Sequence, residues 1–126
     1  MADCRTEHQE QVALFTWATV MSGRHPELKL LYAIPNAAKR SPAQARYMLS
    51  EGLKKGVPDI CLPCARQGYH GLYIELKRIK GGVTSPDQKE WIAALKSEGY
   101  KAIVCKGFDE AREAIEDYLG IKHRRG

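Results

Sequence analysis

No stretch of this chain approaches the roughly eighteen consecutive apolar residues of a membrane-spanning helix, and its start lacks the apolar run of a secretory leader. A cytoplasmic location is the expectation. Cysteine is sparse, at Cys4, Cys61, Cys64 and Cys105, and Cys61-Leu-Pro-Cys64 is a CxxC. No second CxxC and no HxxxH accompanies it, so the two further ligands of a tetrahedral zinc site are missing. A redox CxxC usually opens a helix, whereas this one lies in a run that reads as strand. The cysteines are therefore read as small buried residues. Internal repeats and low-complexity tracts are also lacking. Acid is in deficit: 15 Asp and Glu face 20 Lys and Arg, for a net charge of +5. A pI near 9.1 favours a polyanionic partner over an acid-binding or neutral one.

What is present describes one domain over residues 1–126, with a core at about 6–120 and a basic tail at 121–126. Hydrophobic residues at 44% and charged residues at 28% are those of a globular protein able to bury a core. Thr6 caps a helix expected over 6–22, with Glu7 and Glu10 in its first turn and Val12, Leu14, Phe15, Ala18 and Met21 as its apolar stripe. Leu28 to Ile34 reads as a strand ending at Pro35. Ser41-Pro42 and Ser85-Pro86 each place a cap before a first-turn proline and open further helices, the first to about Glu51 and the second to near Gly99. Strands are expected at about 58–63, 70–78 and 100–105, and a last helix at 109–119. A hairpin followed by a strand–helix–strand crossover gives an α/β fold, a mixed sheet flanked by helices.

The informative segment lies between residues 56 and 77: Gly56-Val57-Pro58-Asp59, an apolar run, then Tyr73-Ile74-Glu75-Leu76-Lys77. Residues two apart on a strand share a face, so Glu75 and Lys77 project together while Leu76 points into the core. If the strands pair as a hairpin, Asp59 comes round beside them. A carboxylate in the middle of a buried strand is costly unless paired or metal-bound. A structural Glu75–Lys77 pair would meet that cost. So would a hard-cation site made of two carboxylates beside an ammonium, which suits metal-assisted phosphodiester hydrolysis.

The spacing resembles the PD-(D/E)xK nucleases. Together with Pro35-Asn36, Ser85-Pro86-Asp87-Gln88 and Trp91 in one order, it resembles the virus-type replication-repair nuclease (VRR-Nuc) branch, from about Glu7 to Leu119. The resemblance implies a restriction-endonuclease-like fold and a Mg²⁺ or Mn²⁺ ion held by Asp59, Glu75 and the backbone carbonyl of Leu76. Lys77 then orients the attacking water or stabilises the pentacovalent phosphorane. The family's first-helix acid falls on Glu7 in a Glu-x-x-x-Gln pattern with Gln11, and Glu10 is its rival. Gln88 falls where the family has a glutamine near the active end, to hold phosphate or a water. The family's Pro-Asn-Gly is here Pro35-Asn36-Ala37, which leaves the asparagine's polar contact in place of a glycine turn. Asn36, Lys39, Arg40, Lys54, Lys55, Arg78 and Lys80 are read as DNA contacts that position a duplex without reading its sequence.

The implied activity is a metal-dependent, structure-selective DNA endonuclease that resolves four-way junctions as a homodimer, in a viral or prophage setting. Trp91, Tyr47 and Met48 are candidates for the contact between copies. A monomeric flap or nicked-duplex nuclease and a non-catalytic nucleic-acid-binding module are the alternatives.

Overall fold

Among the described residues, three of the four α-helices begin with the same local device. Thr6, Ser41 and Ser85 each accept a hydrogen bond from the N–H three residues on, and the glutamine there reaches back to the cap's own N–H. This reciprocal pairing satisfies two of the donors that every helix start leaves without partners. Pro42 and Pro86 stand at first-turn positions, where a missing N–H costs nothing. The computed structural model describes residues 5–36 and 41–121. Its elements are α1 (Glu7–Met21), a 3-10 turn (Pro26–Leu30), β1 (Tyr32–Ala33), α2 (Pro42–Ser50), β2 (Ile60–Leu62), β3 (Leu72–Lys77), α3 (Pro86–Ser97), β4 (Lys101–Lys106) and α4 (Gly107–Leu119). Among the described residues no helix is long and apolar enough to cross a membrane.

The strands form one sheet in the order β1-β2-β3-β4. The β1/β2 and β2/β3 pairs are antiparallel, and β3/β4, joined through α3, is parallel. This is the expected mixed α/β architecture. Leu72, Ile74 and Leu76 of β3 join Ile60 and Leu62 of β2 on the core face, packed with Leu14 and Ala18 of α1 and with Ala111, Ile115 and Tyr118 of α4. The alternation of β3 puts Tyr73, Glu75 and Lys77 on the other face. Cys61, Cys64 and Cys105 are buried thiols, as the sequence suggests.

Three expectations are corrected. The segment from Leu28 is not a strand until Tyr32. Pro26 starts a 3-10 turn, and burial of Leu28 and Leu31 with Leu30 exposed follows a spacing of three rather than two. Val12 is exposed, because the core stripe of α1 runs through positions 10, 14 and 18. Finally, α4 begins at Gly107 rather than Asp109.

That early start has a long-range cause. Lys106, the residue before α4, gives no side-chain cap, and Glu10 on α1 accepts the Phe108 N–H at 2.9 Å instead. Glu10 is 2% exposed, and its other oxygen, Oε2, has no hydrogen-bond partner. A carboxylate at a helix N-terminus is stabilised by the N–H groups it faces. Glu10 thus ties α1 to α4 across the core. Replacing Glu10 with Ala is expected to lower unfolding free energy by about 1–2 kcal/mol, the usual cost of a lost cap. Glu10→Gln, which keeps an acceptor, should cost less, and urea unfolding of the two variants measures the difference.

Candidate active site

The site is built where the β2–β3 ladder stops. Continuing the register Ile60↔Ile74 by two residues sets Pro58 opposite Leu76. Proline has no N–H to donate. The Leu76 N–H bonds to Asp59 Oδ2 at 2.8 Å instead. A strand residue points its N–H and its C=O to the same edge. The Leu76 carbonyl therefore faces the Asp59 side with no backbone donor across from it. The preceding loop is pressed onto α3: Gly56 has φ +84°, and a Cβ there would lie 2.7 Å from backbone and side-chain carbon of Asp87. Glycine is required at that position on both counts.

On the far side of Glu75, α3 delivers Gln88. Its Oε1 accepts from Lys77 Nζ at 2.9 Å and from the Ser85 N–H at 2.8 Å, and its Nε2 donates to Glu75 Oε2 at 3.0 Å. The helix-capping glutamine thus holds the acid and the ammonium at once, and its amide is committed to protein partners. Lys77 Nζ stands 3.5 Å from the same Glu75 oxygen. Glu75 is 1% exposed and Lys77 6%. The second oxygen of Glu75, Oε1, is buried without a hydrogen-bond partner.

A cavity of about 520 Å³ opens over this cluster, lined by Glu7, Gln11, Asn36, Asp59, Glu75, Lys77 and Gln88, with His8, Ile34 and Pro35 at its edge. Asn36 is held there by a 3.3 Å bond from its Nδ2 to the Val57 carbonyl. The first-helix alternative is thereby resolved in position: Glu7 lines the cavity, whereas Glu10 is the buried cap of α4.

A profile of the VRR-NUC domain matches residues 2–109. The chain belongs to that family. A solved structure described as a VRR_NUC domain protein shares 31% identity and superposes with a TM-score of 0.78, covering 98% of this chain and 96% of that one. No functionally curated protein matches. VRR-NUC membership makes this a protein of a nuclease family in the PD-(D/E)xK superfamily.

In this VRR-NUC domain the two carboxylates titrate together. Burial first, then the charge of Asp59 beside it, push Glu75 up to about 8, against the weaker downward pull of Lys77. Burial also raises Asp59, while its contacts with Glu75 and the Leu76 N–H favour its charged form. The pair keeps a proton near neutrality, and that proton belongs to the two acids together.

Of the residues read as DNA contacts, Asn36 lines the cavity, while Lys54, Lys55, Arg78 and Lys80 are exposed around it or on the adjoining loops. Lys39 and Arg40 lie outside the described residues. His8 was not singled out by the sequence, where its one signal is adjacency to Glu7. Among the described residues no three His, Cys, Asp or Glu side chains form a ready metal cluster. The oxygen donors that could hold a metal are Asp59, Glu75 and the Leu76 carbonyl, with Glu7 across the cavity. A buried carboxylate oxygen without a partner fits a hard cation, which prefers such oxygens.

The raised Glu75 has a sign that can be checked without activity. Between its ordinary 4.5 and about 8, the folded chain holds a proton that the unfolded chain has released. Stability without metal therefore falls as pH rises through that window and levels off above it. Glu75→Gln removes the loss. In EDTA the variant is expected to melt several degrees above the parent at pH 8, with the gap closing toward pH 4.5 in thermal unfolding.

Proposed function

We propose that this VRR-NUC domain is a metal-dependent, structure-selective DNA endonuclease that hydrolyses phosphodiester bonds and resolves four-way junctions as a homodimer. The observation that carries the reading is the half-buried Asp59 beside the buried Glu75, one of whose oxygens lacks a hydrogen-bond partner, both lining a cavity that also receives Lys77. Asp59, Glu75 and the Leu76 carbonyl would hold Mg²⁺ or Mn²⁺. When bound, that ion supplies acidification of a water and neutralisation of charge on the phosphate.

The protein's own groups do the rest. Gln88 fixes the Lys77 ammonium 3.5 Å from Glu75 Oε2, so the cation is aimed rather than solvated. Held there, it orients an attacking water or meets charge as it develops on the phosphate oxygens. Arginine would fill that place poorly, since a planar fork cannot replace a compact ammonium between Gln88 and Glu75. Glu7 lies across the cavity, where it can accept a hydrogen bond from a water in the site. Asn36, Lys54, Lys55, Arg78 and Lys80 offer polar and positive groups to a DNA backbone.

Self-association rests on α2. None of its residues is buried, and Ala43, Tyr47 (69% exposed) and the half-buried Met48 share one side of it. An apolar helix face without a core beneath it suits an isologous contact, and a two-fold symmetric junction calls for two active sites. Trp91 is half-buried on α3 and is the weaker candidate.

Cleavage of labelled junction, flap, nicked and linear duplex DNA with Mg²⁺, Mn²⁺ or EDTA tests the reading. Glu75→Gln and Asp59→Asn are expected to abolish cutting while leaving most DNA affinity. Glu7→Gln should cost about ten- to a hundredfold, the range for a residue acting through the metal's surroundings. Wild-type turnover in either of the first two variants removes the metal assignment. Light scattering during gel filtration should give a mass of about 28 kDa, twice the 14.1 kDa chain. A stable monomer that still cuts selects the flap or nicked-duplex activity, and DNA binding without cutting selects a binding module.

A further inference from the structure

Beside the catalytic cavity lies a second hollow of about 410 Å³, between the first turn of α1 and the loop that follows β3. Glu7, His8 and Lys77 border both, so the two adjoin. Its outer wall is Arg78 with Gly81 and Gly82. The glycines let this loop close tightly over the strand end. A Cβ on Gly82 would come within 2.8 Å of Lys77 Cβ, and one on Gly81 within 3.0 Å of Arg78 Nη2. The guanidinium is thus laid along the loop beside the stem of the active-site lysine. Among the described residues neither Arg78 nor His8 has a hydrogen-bond or ion-pair partner.

We propose that this hollow is the subsite for the phosphodiester next to the one that is cut, with Arg78 and His8 as its ligands. The inference rests on the nuclease reading above. A strand whose scissile phosphate lies against Lys77 must leave the cavity along one of its sides. On this side an unpaired guanidinium and an imidazole await an anion, and Glu7 closes the boundary toward the acids. Arginine gives phosphate a two-pronged contact, which fixes register as well as charge. Holding the neighbouring phosphate sets where along the strand the cut falls and carries no base information.

The test pairs protein variants with single methylphosphonates, which remove the charge of one phosphate at a time, placed on either side of the mapped cut. Affinity is read in EDTA and cleavage with Mg²⁺, using the full chain. On unmodified DNA, Arg78→Ala is expected to weaken affinity about tenfold, as loss of a charge-assisted contact does. It should raise KM more than it lowers kcat and lower the salt slope of binding by about one. His8→Ala should do the same to a smaller degree, and Lys96→Ala, an exposed charge on α3, should do neither. In the wild-type chain one flanking methylphosphonate should cost a similar factor. In Arg78→Ala the same substitution should cost nothing more, because the contact is already gone. Penalties that multiply at both flanking positions overturn the subsite while leaving the nuclease intact. Absence of any cleavage by the wild-type chain removes the nuclease reading, and the subsite with it.

Discussion

Burial of one carboxylate governs the arrangement of this molecule's active end. Glu75 sits mid-strand in β3 between Ile74 and Leu76, both in the core, and is itself 1% exposed. A charge there is severely penalised unless the surroundings compensate. Lys77 lies two residues along the same face, and Gln88 arrives from α3 to bond both. Asp59, however, works in the opposite direction, because a second carboxylate raises the cost. The protein thus supplies hydrogen bonds to one oxygen of Glu75 and leaves the other without any. Such half-compensation is poor design for stability, and it is the feature on which the proposed cation site rests.

The same logic explains why α3 begins where it does. Its capping box needs a residue at the third position that reaches back to Ser85, and Gln88 does so with Oε1. Once Oε1 is fixed by the Ser85 N–H and Lys77, the amide has no choice but to turn Nε2 toward Glu75. A folding signal and a site contact are carried by one side chain. Gly56, pressed against Asp87, brings the Pro58-Asp59 turn to the same helix start. Local helix chemistry and the geometry of the acids are therefore coupled through the first turn of α3.

Much of this was legible in the sequence. The caps at Thr6, Ser41 and Ser85, the strand alternation around Ile74 and Leu76, and the order of elements rest on local rules, and the fold follows them. The approach of Asp59 to Glu75 could be expected from a hairpin register. The double role of Gln88 could not, since side-chain bonds across thirteen positions of chain leave no periodic trace. The strand expected from Leu28 failed because a run of leucines satisfies either period, and Pro26 decided for the helical one. The start of α4 was hidden for a different reason: its cap comes from Glu10, 98 residues earlier.

Glu7 and Glu10 show how far a three-residue step on one helix can separate two acids. Both favour the α1 N-terminus electrostatically, so composition gives them the same standing. Glu10 continues the line of Leu14 and Ala18, which takes it under α4, where a helix start needs an acceptor. Glu7 lies one turn nearer the open end, over the cavity that holds Asp59. Its negative charge also helps keep Asp59 high. The two roles depend on each other. Glu10 sets the rotation and depth of α1 against the core, and that setting determines what Glu7 overlooks. An acid that stabilises the fold thereby positions an acid that faces the cavity of Asp59 and Glu75.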